Sequence, residues 1–170
     1  MLIMSNEYDN EKFFNEYAKM SRSQKGLCAA GEWHQLRLLI PPLNGKAFLD
    51  LGCGYGWHCK FASAEGAKKI LGLDLSQKMI EKAQKLNMGP RTEYRVCGLQ
   101  EYEYPENTWD VVVSNLALHY IENLEEVFQK VYRTLKRDGI FLFNIEHPVF
   151  TAGIGQDWIY TGEGKPRYWA

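Results

Sequence analysis

Closely spaced glycines directly after a buried strand constrain the fold of this chain more than any other feature. The apolar residues 46–51 predict a short strand, and Gly52, Gly54 and Gly56 follow it at once. Glycine lets the backbone turn sharply and lets a ligand approach it closely. The free amides at the start of the next helix favour electronegative groups. The pattern therefore predicts a strand, a ligand-binding turn and a helix.

Strand and helix signals then alternate as far as residue 146. Further strands are predicted at 69–74, 92–97, 109–114 and 140–145, with amphipathic helical patterns between most of them. The clearest helix follows Asn123, and its apolar stripe runs from Leu124 to Leu135. This alternation predicts right-handed crossovers and an α/β fold, a doubly wound parallel sheet with helices on both faces.

The chain is expected to form a single domain, because 170 residues with 45% hydrophobic content can fill one core without metals or disulfides. Residues 1–44 carry two helical patterns and are expected to form a helical prelude or lid. Residues 45–146 form the cofactor-binding α/β core, and residues 147–170 form an irregular tail rich in glycine and aromatic residues.

Charge and cysteine usage argue against several classes of protein. The 20 basic and 21 acidic side chains are interspersed, so no nucleic-acid partner is expected. No apolar stretch approaches the roughly 20 residues of a membrane span, and no signal sequence is evident, so a cytoplasmic protein without a membrane partner is expected. The cysteines form no Cys-x-x-Cys pair; we expect free packing residues and no metal site at Cys28, Cys53, Cys59 and Cys97.

An acidic residue at the end of the second predicted strand indicates the kind of ligand. Asp74 is placed to accept two hydrogen bonds from a ribose diol, which points to an adenosine moiety. A dinucleotide fingerprint would need a glycine where Trp57 stands, and the indole would obstruct close packing of the helix on the strand. A nicotinamide-dependent oxidoreductase therefore stays a less favoured alternative.

Four segments in order resemble the successive motifs of class I S-adenosylmethionine-dependent methyltransferases. They are residues 48–56 (FLDLGCGYG), 72–76 (GLDLS), 109–115 (WDVVVSN) and 135–139 (LKRDG). The resemblance implies S-adenosylmethionine as the cofactor and a sheet of order 3-2-1-4-5. The family's sheet normally continues past the fifth strand, so its C-terminal strands are expected to be missing here.

The resemblance also implies roles for individual residues. Asp50 lies under the turn near the cofactor's ammonium end, although it could instead brace the turn through backbone amides. The glycine turn, with Gly52, Cys53 and Gly54, lines the methionine end of the cofactor. At the end of the second strand Asp74 binds the ribose and Leu75 packs near the adenine. Asn115, at the end of the fourth strand, faces the transferred methyl group. The third strand offers no acid for the adenine before Glu101, so the Leu99 backbone and the Gln100 side chain are assigned to it.

The exit of the fourth strand, residues 118–120 (LHY), resembles the branch of the family that methylates small molecules. It lacks the prolines typical of enzymes that methylate base amines. If the acceptor is a hydroxyl or an amine, a histidine is the natural proton acceptor, which nominates His119 and His147 as catalytic residues. The alternative is that each caps or packs a loop.

Aromatic residues are the candidates for the acceptor site. Tyr8 and Tyr17 of the prelude are expected to roof the pocket, since aromatic faces attract a cationic sulfonium, or else to pack as part of a lid. Tyr120 is assigned to the acceptor site with them.

The fifth strand is expected to be an exposed apolar edge. Such an edge is a template for another chain, so it could form a homodimer, or the aromatic tail could fold over it through Trp158, Tyr160, Tyr168 and Trp169. On this view the 170-residue form is truncated relative to its relatives. A non-catalytic remnant that keeps the cofactor site is the alternative function.

Overall fold

Five parallel strands form the central sheet of the computed structural model, which describes residues 7–147 and the short strands Trp158–Tyr160 and Pro166–Trp169. The sheet order is β3-β2-β1-β4-β5 and every neighbouring pair is parallel. Its strands are β1 (Ala47–Leu51), β2 (Lys69–Asp74), β3 (Thr92–Val96), β4 (Trp109–Asn115) and β5 (Leu135–Asn144). The predicted α/β fold and strand order are confirmed.

Three short helices, α1 (Glu11–Lys19), α2 (Ser21–Lys25) and α3 (Trp33–Leu39), make up the prelude together with 3-10 turns at Glu7–Asp9 and Gly26–Ala29. The crossover helices are α4 (Trp57–Ala64), α5 (Gln77–Asn87) and α6 (Leu124–Thr134). A 3-10 turn, Leu118–Tyr120, follows β4. Among the described helices, none is long and apolar enough to cross a bilayer.

Successive residues of the buried strands point to opposite faces of the sheet and so feed two separate cores. Phe48 and Val111 pack with residues of α4 and α5, whereas Leu49 and Val112 pack with Val127 of α6 and its neighbours. Helices therefore cover both faces. The carboxyl ends of the parallel strands meet at one edge of the sheet, where open α/β sheets bind their ligands.

The transition from α6 to β5 differs from the sequence prediction. The apolar stripe was expected to remain helical through Leu135, with a strand from residue 140. Instead α6 ends at Thr134, Leu135 is extended and it pairs with Trp109. Asp138, at a φ of 61°, then turns the backbone before the regular pairing begins at Val111. The packing of Leu135 beside Trp109 replaces the last helical turn.

The tail differs from the irregular segment expected at residues 147–170. Two antiparallel strands lie within it, β6 (Trp158–Tyr160) and β7 (Pro166–Trp169), with Ile159 opposite Tyr168. Short aromatic and β-branched runs with glycines between them in the sequence are typical of a hairpin. β6 and β7 form a sheet of their own, and the tail side chains expected to cover β5 lie outside the described part of the chain.

Candidate functional site at the carboxyl edge of the sheet

The glycine turn lies between the end of β1 and the start of α4, and it is tied to β2. The amides of Gly52 and Cys53 both donate to the carbonyl of Leu73, at 2.9 and 2.8 Å. Gly52 and Gly54 have φ angles of 78° and 51°, which favour glycine. A Cβ at Gly52 would collide with Ala117, whereas a Cβ at Gly54 would meet only the Tyr17 hydroxyl, at 3.9 Å. The Gly54 side of the turn therefore faces open space.

Asp74 connects this turn to the start of α5. Its Oδ2 accepts from the Gly54 amide at 2.8 Å and its Oδ1 from the Ser76 amide at 2.9 Å. Burial raises the pKa of Asp74, and the two amides act in the opposite direction. A carboxylate oxygen can accept more than one hydrogen bond, so Asp74 keeps acceptor capacity for a diol.

The prelude is held on this edge by polar contacts. Asp9 accepts hydrogen bonds from the Ser76 hydroxyl at 2.6 Å and from the Lys78 amide at 3.2 Å, next to the N-terminus of α5. The hydroxyls of Tyr8 and Tyr120 lie 3.0 Å apart. Burial and the Tyr120 hydrogen bond raise the pKa of Tyr8, so its hydroxyl stays protonated. The prelude thus forms a roof close to Asp74.

A cavity of about 60 Å³ lies between the prelude and the glycine turn. Four of its lining residues carry a buried polar atom without a hydrogen-bond partner: Ser23 Oγ, Tyr55 Oη, Trp57 Nε1 and His58 Nε2. Such an atom costs about 1 to 3 kcal/mol unless it finds a partner. The indole nitrogen can only donate. The cavity therefore suits a group that accepts hydrogen bonds.

A chain of polar side chains closes one side of the cavity. Asn144 donates to Asn115 at 3.0 Å, Asn115 donates to Glu32 at 2.8 Å, and Arg22 donates to the same Glu32 oxygen at 2.7 Å. Desolvation opposes ionisation of Glu32, but the Asn115 and Arg22 contacts outweigh it and lower its pKa. Arg22, itself on the cavity wall, is thereby fixed in place.

Asp50 lies fully buried at the end of β1, beneath the turn rather than on its open side. The Cys59 thiol donates to its Oδ2 at 3.5 Å, and His58 Nδ1 lies 4.0 Å from the same oxygen. Burial raises the pKa of Asp50 to about 7 and lowers that of His58 to about 4. The imidazole is therefore neutral at neutral pH, and the two groups do not form a salt bridge.

Comparisons with known proteins identify the family. A family model described as "Methyltransferase domain" matches residues 49–143, more than half of the chain. This chain belongs to the methyltransferase-domain family. A solved candidate S-adenosylmethionine-dependent methyltransferase from Listeria monocytogenes is 44% identical with a TM-score of 0.77, over 84% of this chain and 67% of its own. A second such methyltransferase, from Mesorhizobium loti, is 39% identical with a TM-score of 0.72, over 75% of this chain and 59% of its own.

The relatives are longer than this methyltransferase domain. A Haemophilus influenzae protein of undescribed activity is 36% identical over 150 residues, which are 85% of this chain but 59% of that protein. The cofactor of the family is S-adenosylmethionine, and the residues at the sheet edge fit it. Gly54 is open, Asp74 has acceptor capacity, and the cavity offers unpartnered donors.

The other residues predicted for cofactor binding lie in different surroundings. Leu75 is 51% exposed beside Asp74, whereas the Leu99 side chain is buried in the core, which leaves its backbone for recognition. Gln100 is exposed, and its carbonyl accepts from Lys130 Nζ at 2.7 Å. Cys53 is buried in the turn, and Asn115 has both ends of its amide engaged.

The two histidines follow neighbouring parallel strands at the same edge of the sheet. The rings of His119 and Tyr120 are tilted by 47° with centroids 4.2 Å apart, and His119 Nδ1 is buried without a hydrogen-bond partner. His147 is exposed after β5. Among the described residues, no cluster of His, Cys, Asp and Glu could hold a metal ion. Of the cysteines, Cys28 is exposed rather than packed, which differs from the expectation.

Residues of the prelude and of α4 were missed by sequence reasoning. Arg22, Ser23 and Glu32 carry no periodic or motif signal, and Trp57 served only to exclude a dinucleotide site. His58 has the pattern of an ordinary core residue. One sequence feature could have pointed to Arg22 and Ser23. Both lie in the short α2, directly after α1, one of whose aromatic residues was predicted to roof the site.

Proposed function

We propose that the protein transfers the methyl group of S-adenosylmethionine to a small-molecule acceptor beneath the prelude. The observation that carries this proposal is the Asp74 carboxylate, which connects α5 to Gly54 of the glycine turn, and Gly54 lines the cavity. A site roofed by its own chain favours a small acceptor, since water must be excluded during the transfer. A cytoplasmic location stays a prediction from composition.

In this proposal the ends of β1 and β2 and the prelude bind the cofactor. Asp74 accepts from the ribose hydroxyls, and the exposed Leu75 packs on the adenine. Arg22, held by Glu32, pairs with the carboxylate of the methionine end. When bound, the cofactor supplies an electrophilic methyl group on its sulfonium. The open turn at Gly54 lets it approach the backbone.

The acceptor lies between the exits of β4 and β5 and the aromatic roof. His119 takes the proton of a hydroxyl or amine acceptor, and the engaged hydroxyls of Tyr8 and Tyr120 keep that part of the site closed. Tyr17 lines the cavity with an aromatic face. His147, exposed after β5, is the second candidate base.

Calorimetric titration with S-adenosylhomocysteine and with NAD tests the cofactor assignment. We expect the first compound to bind and NAD not to bind. Asp74→Asn should weaken S-adenosylhomocysteine about ten- to a hundredfold, since charge-assisted hydrogen bonds are worth roughly 1.5 to 3 kcal/mol. Asp138→Asn, an exposed and chemically matched change at the turn in β5, is the control and should leave affinity unchanged. An unchanged affinity in folded Asp74→Asn protein would remove the ribose assignment.

Turnover separates an enzyme from a non-catalytic remnant. Formation of S-adenosylhomocysteine is measured with a panel of small hydroxyl and amine acceptors. Cofactor binding without turnover on any acceptor would support the remnant, whereas NAD binding would support the oxidoreductase alternative.

We also propose a homodimer through the outer edge of β5, which among the described strands pairs only with β4. Phe128, Phe141 and Phe143 form an aromatic cluster beside this edge, and Tyr132 of α6 is 81% exposed. Light scattering measures the mass in solution, and a monomer at all concentrations would refute the dimer.

A further inference from the structure

The carboxyl group of Asp50 is placed where a charge is costly. Asp50 is fully buried, its Oδ1 has no hydrogen-bond partner, and its Oδ2 receives only the weak thiol donor of Cys59. Buried carboxylates are normally stabilised by several strong donors or by a cation. Among the described residues, Cys59 alone donates a hydrogen bond to this group. The geometry therefore favours the neutral acid in the free protein.

The groups that surround Asp50 do not supply a compensating positive charge. From α4, the turn, β2 and β3 it faces His58, Cys59, Cys53, Asp74 and Tyr94. Burial raises the pKa values of both thiols and of Tyr94, so these groups stay protonated near neutral pH. His58 is neutral because burial lowers its pKa, and Glu32 and Arg22 of the prelude act on it in opposite directions.

The pKa of Asp50 nevertheless depends on the charge at the ligand side of the turn. The carboxylate of Asp74 contributes to the raised pKa of Asp50, so a negative charge at that edge disfavours ionisation. A positive charge there acts in the opposite direction. His58 separates Asp50 from the cavity by a single imidazole ring, since it lines the cavity and lies 4.0 Å from Asp50 Oδ2.

We propose that Asp50 carries its proton in the free protein and releases it when the sulfonium cofactor binds, so that Asp50 makes the site more selective for S-adenosylmethionine over S-adenosylhomocysteine as the pH rises. The O–H bond of the carboxyl breaks, and its proton passes to the solvent buffer. The inference rests on the proposed function, because it needs the sulfonium beside the turn.

The two ligands share every titratable group and differ in the charge on sulfur. The sulfonium also shifts the titration of the ligand's own ammonium group, so the change in the affinity ratio between the wild-type protein and Asp50→Asn isolates the response of Asp50 to that charge. A one-unit fall in the pKa of Asp50 on binding corresponds to a tenfold change in relative affinity. With a one-unit fall from about 7, we expect the preference for S-adenosylmethionine to rise about fivefold from about pH 6 to about pH 8, with most of the change between about pH 6 and pH 7.

Titration calorimetry with both compounds over this pH range, in two buffers of different ionisation enthalpy, measures affinity and released protons. S-adenosylmethionine should release more protons than S-adenosylhomocysteine near pH 7 in the wild-type protein. Asp50→Asn, which has nearly the same shape but cannot ionise, should give a flat preference and an equal proton count. Cys59→Ala removes the donor that favours the carboxylate, so it should move the midpoint to higher pH.

Each outcome decides the inference. A flat preference in wild-type protein that binds both compounds would overturn it, and so would a rise that persists in Asp50→Asn. If Asp50→Asn does not fold, an unmoved midpoint in Cys59→Ala would overturn it in the same way. Failure of both compounds to bind at every pH would refute the proposed function itself, and the inference with it.

Discussion

The buried acid under the glycine turn should make the stability of this protein depend on pH even without a ligand. The pKa of Asp50 rises from 3.8 to about 7 on folding, mainly because burial disfavours its charged form. The folded protein therefore holds this proton more tightly than the unfolded chain does. The resulting stability is fully present below about pH 3.8 and is lost as the pH rises through about 7.

The shift of about three pKa units corresponds to at most about 4 kcal/mol. Between about pH 5 and pH 8 the wild-type protein should lose about 3 kcal/mol relative to Asp50→Asn, which cannot titrate. His58, whose folded pKa is lowered, loses its contribution only as the pH falls from about 6.5 towards 4, and it is present in both proteins. The difference between the two proteins therefore isolates Asp50.

Urea unfolding of both proteins at a series of pH values measures this difference. The free energy of unfolding should fall in the wild-type protein relative to Asp50→Asn as the pH rises, and it should level off above about pH 8. A difference that stays constant over the whole range would refute the argument, because it would mean that Asp50 is already ionised in the folded state. The size of the difference in the free energy of unfolding at any single pH is not a test of Asp50 ionisation, since the buried amide of Asp50→Asn forms different hydrogen bonds from the carboxyl group.

Three further changes test the turn and the candidate base. Gly56→Ala should cost about 2 kcal/mol in urea unfolding, since φ is 77° and the new Cβ would lie within 2.7 Å of the Tyr94 ring. Gly54→Ala should lower the free energy of unfolding by only about 1 kcal/mol, because the space around Gly54 is open. In calorimetry on the folded proteins, it should reduce the affinity for S-adenosylhomocysteine much more than Gly56→Ala does. His119→Ala should lower turnover on an identified acceptor about a hundredfold or more while cofactor affinity stays within about threefold; equal losses in both would make His119 a packing or binding residue.

The sheet could be predicted because its buried strands leave a strong signal. β1, β2 and β4 are buried on both faces, so they appear in the sequence as continuous apolar runs that end in turns. The glycine turn and Asp74 have fixed positions relative to those runs. The ligand-binding role of the glycine turn and of Asp74 could be inferred because it depends on local features, namely the backbone conformation of glycine and the position of an acid at a strand end.

The rest of the site depends on how distant segments dock. Glu32 joins Arg22, ten positions away, to Asn115, 83 positions away. No local pattern encodes such a contact. His58 was missed for a related reason, because a buried histidine in a helix gives the same sequence pattern whether it packs inertly or lines a cavity. The tail strands were missed because runs of three and four residues are too short for periodicity to detect.

The way in which the prelude is attached explains how a covered site admits ligands. α1 has no buried residue, so apolar burial contributes little to holding this helix on the domain. Asp9 and Tyr8 hold the α1 end of the prelude through hydrogen bonds worth about 1 kcal/mol each, and more where a charge takes part, beside ring contacts of Phe14 and Tyr17 with Tyr55. The α3 end is attached more firmly, because Leu36 is buried and Trp33 packs on Phe61. The strands that carry the turn and Asp74, β1 and β2, are buried on both faces, so their opening costs far more free energy. We therefore expect a ligand to enter by displacing α1, which breaks a few polar and ring contacts while Asp74 and the glycine turn keep their geometry.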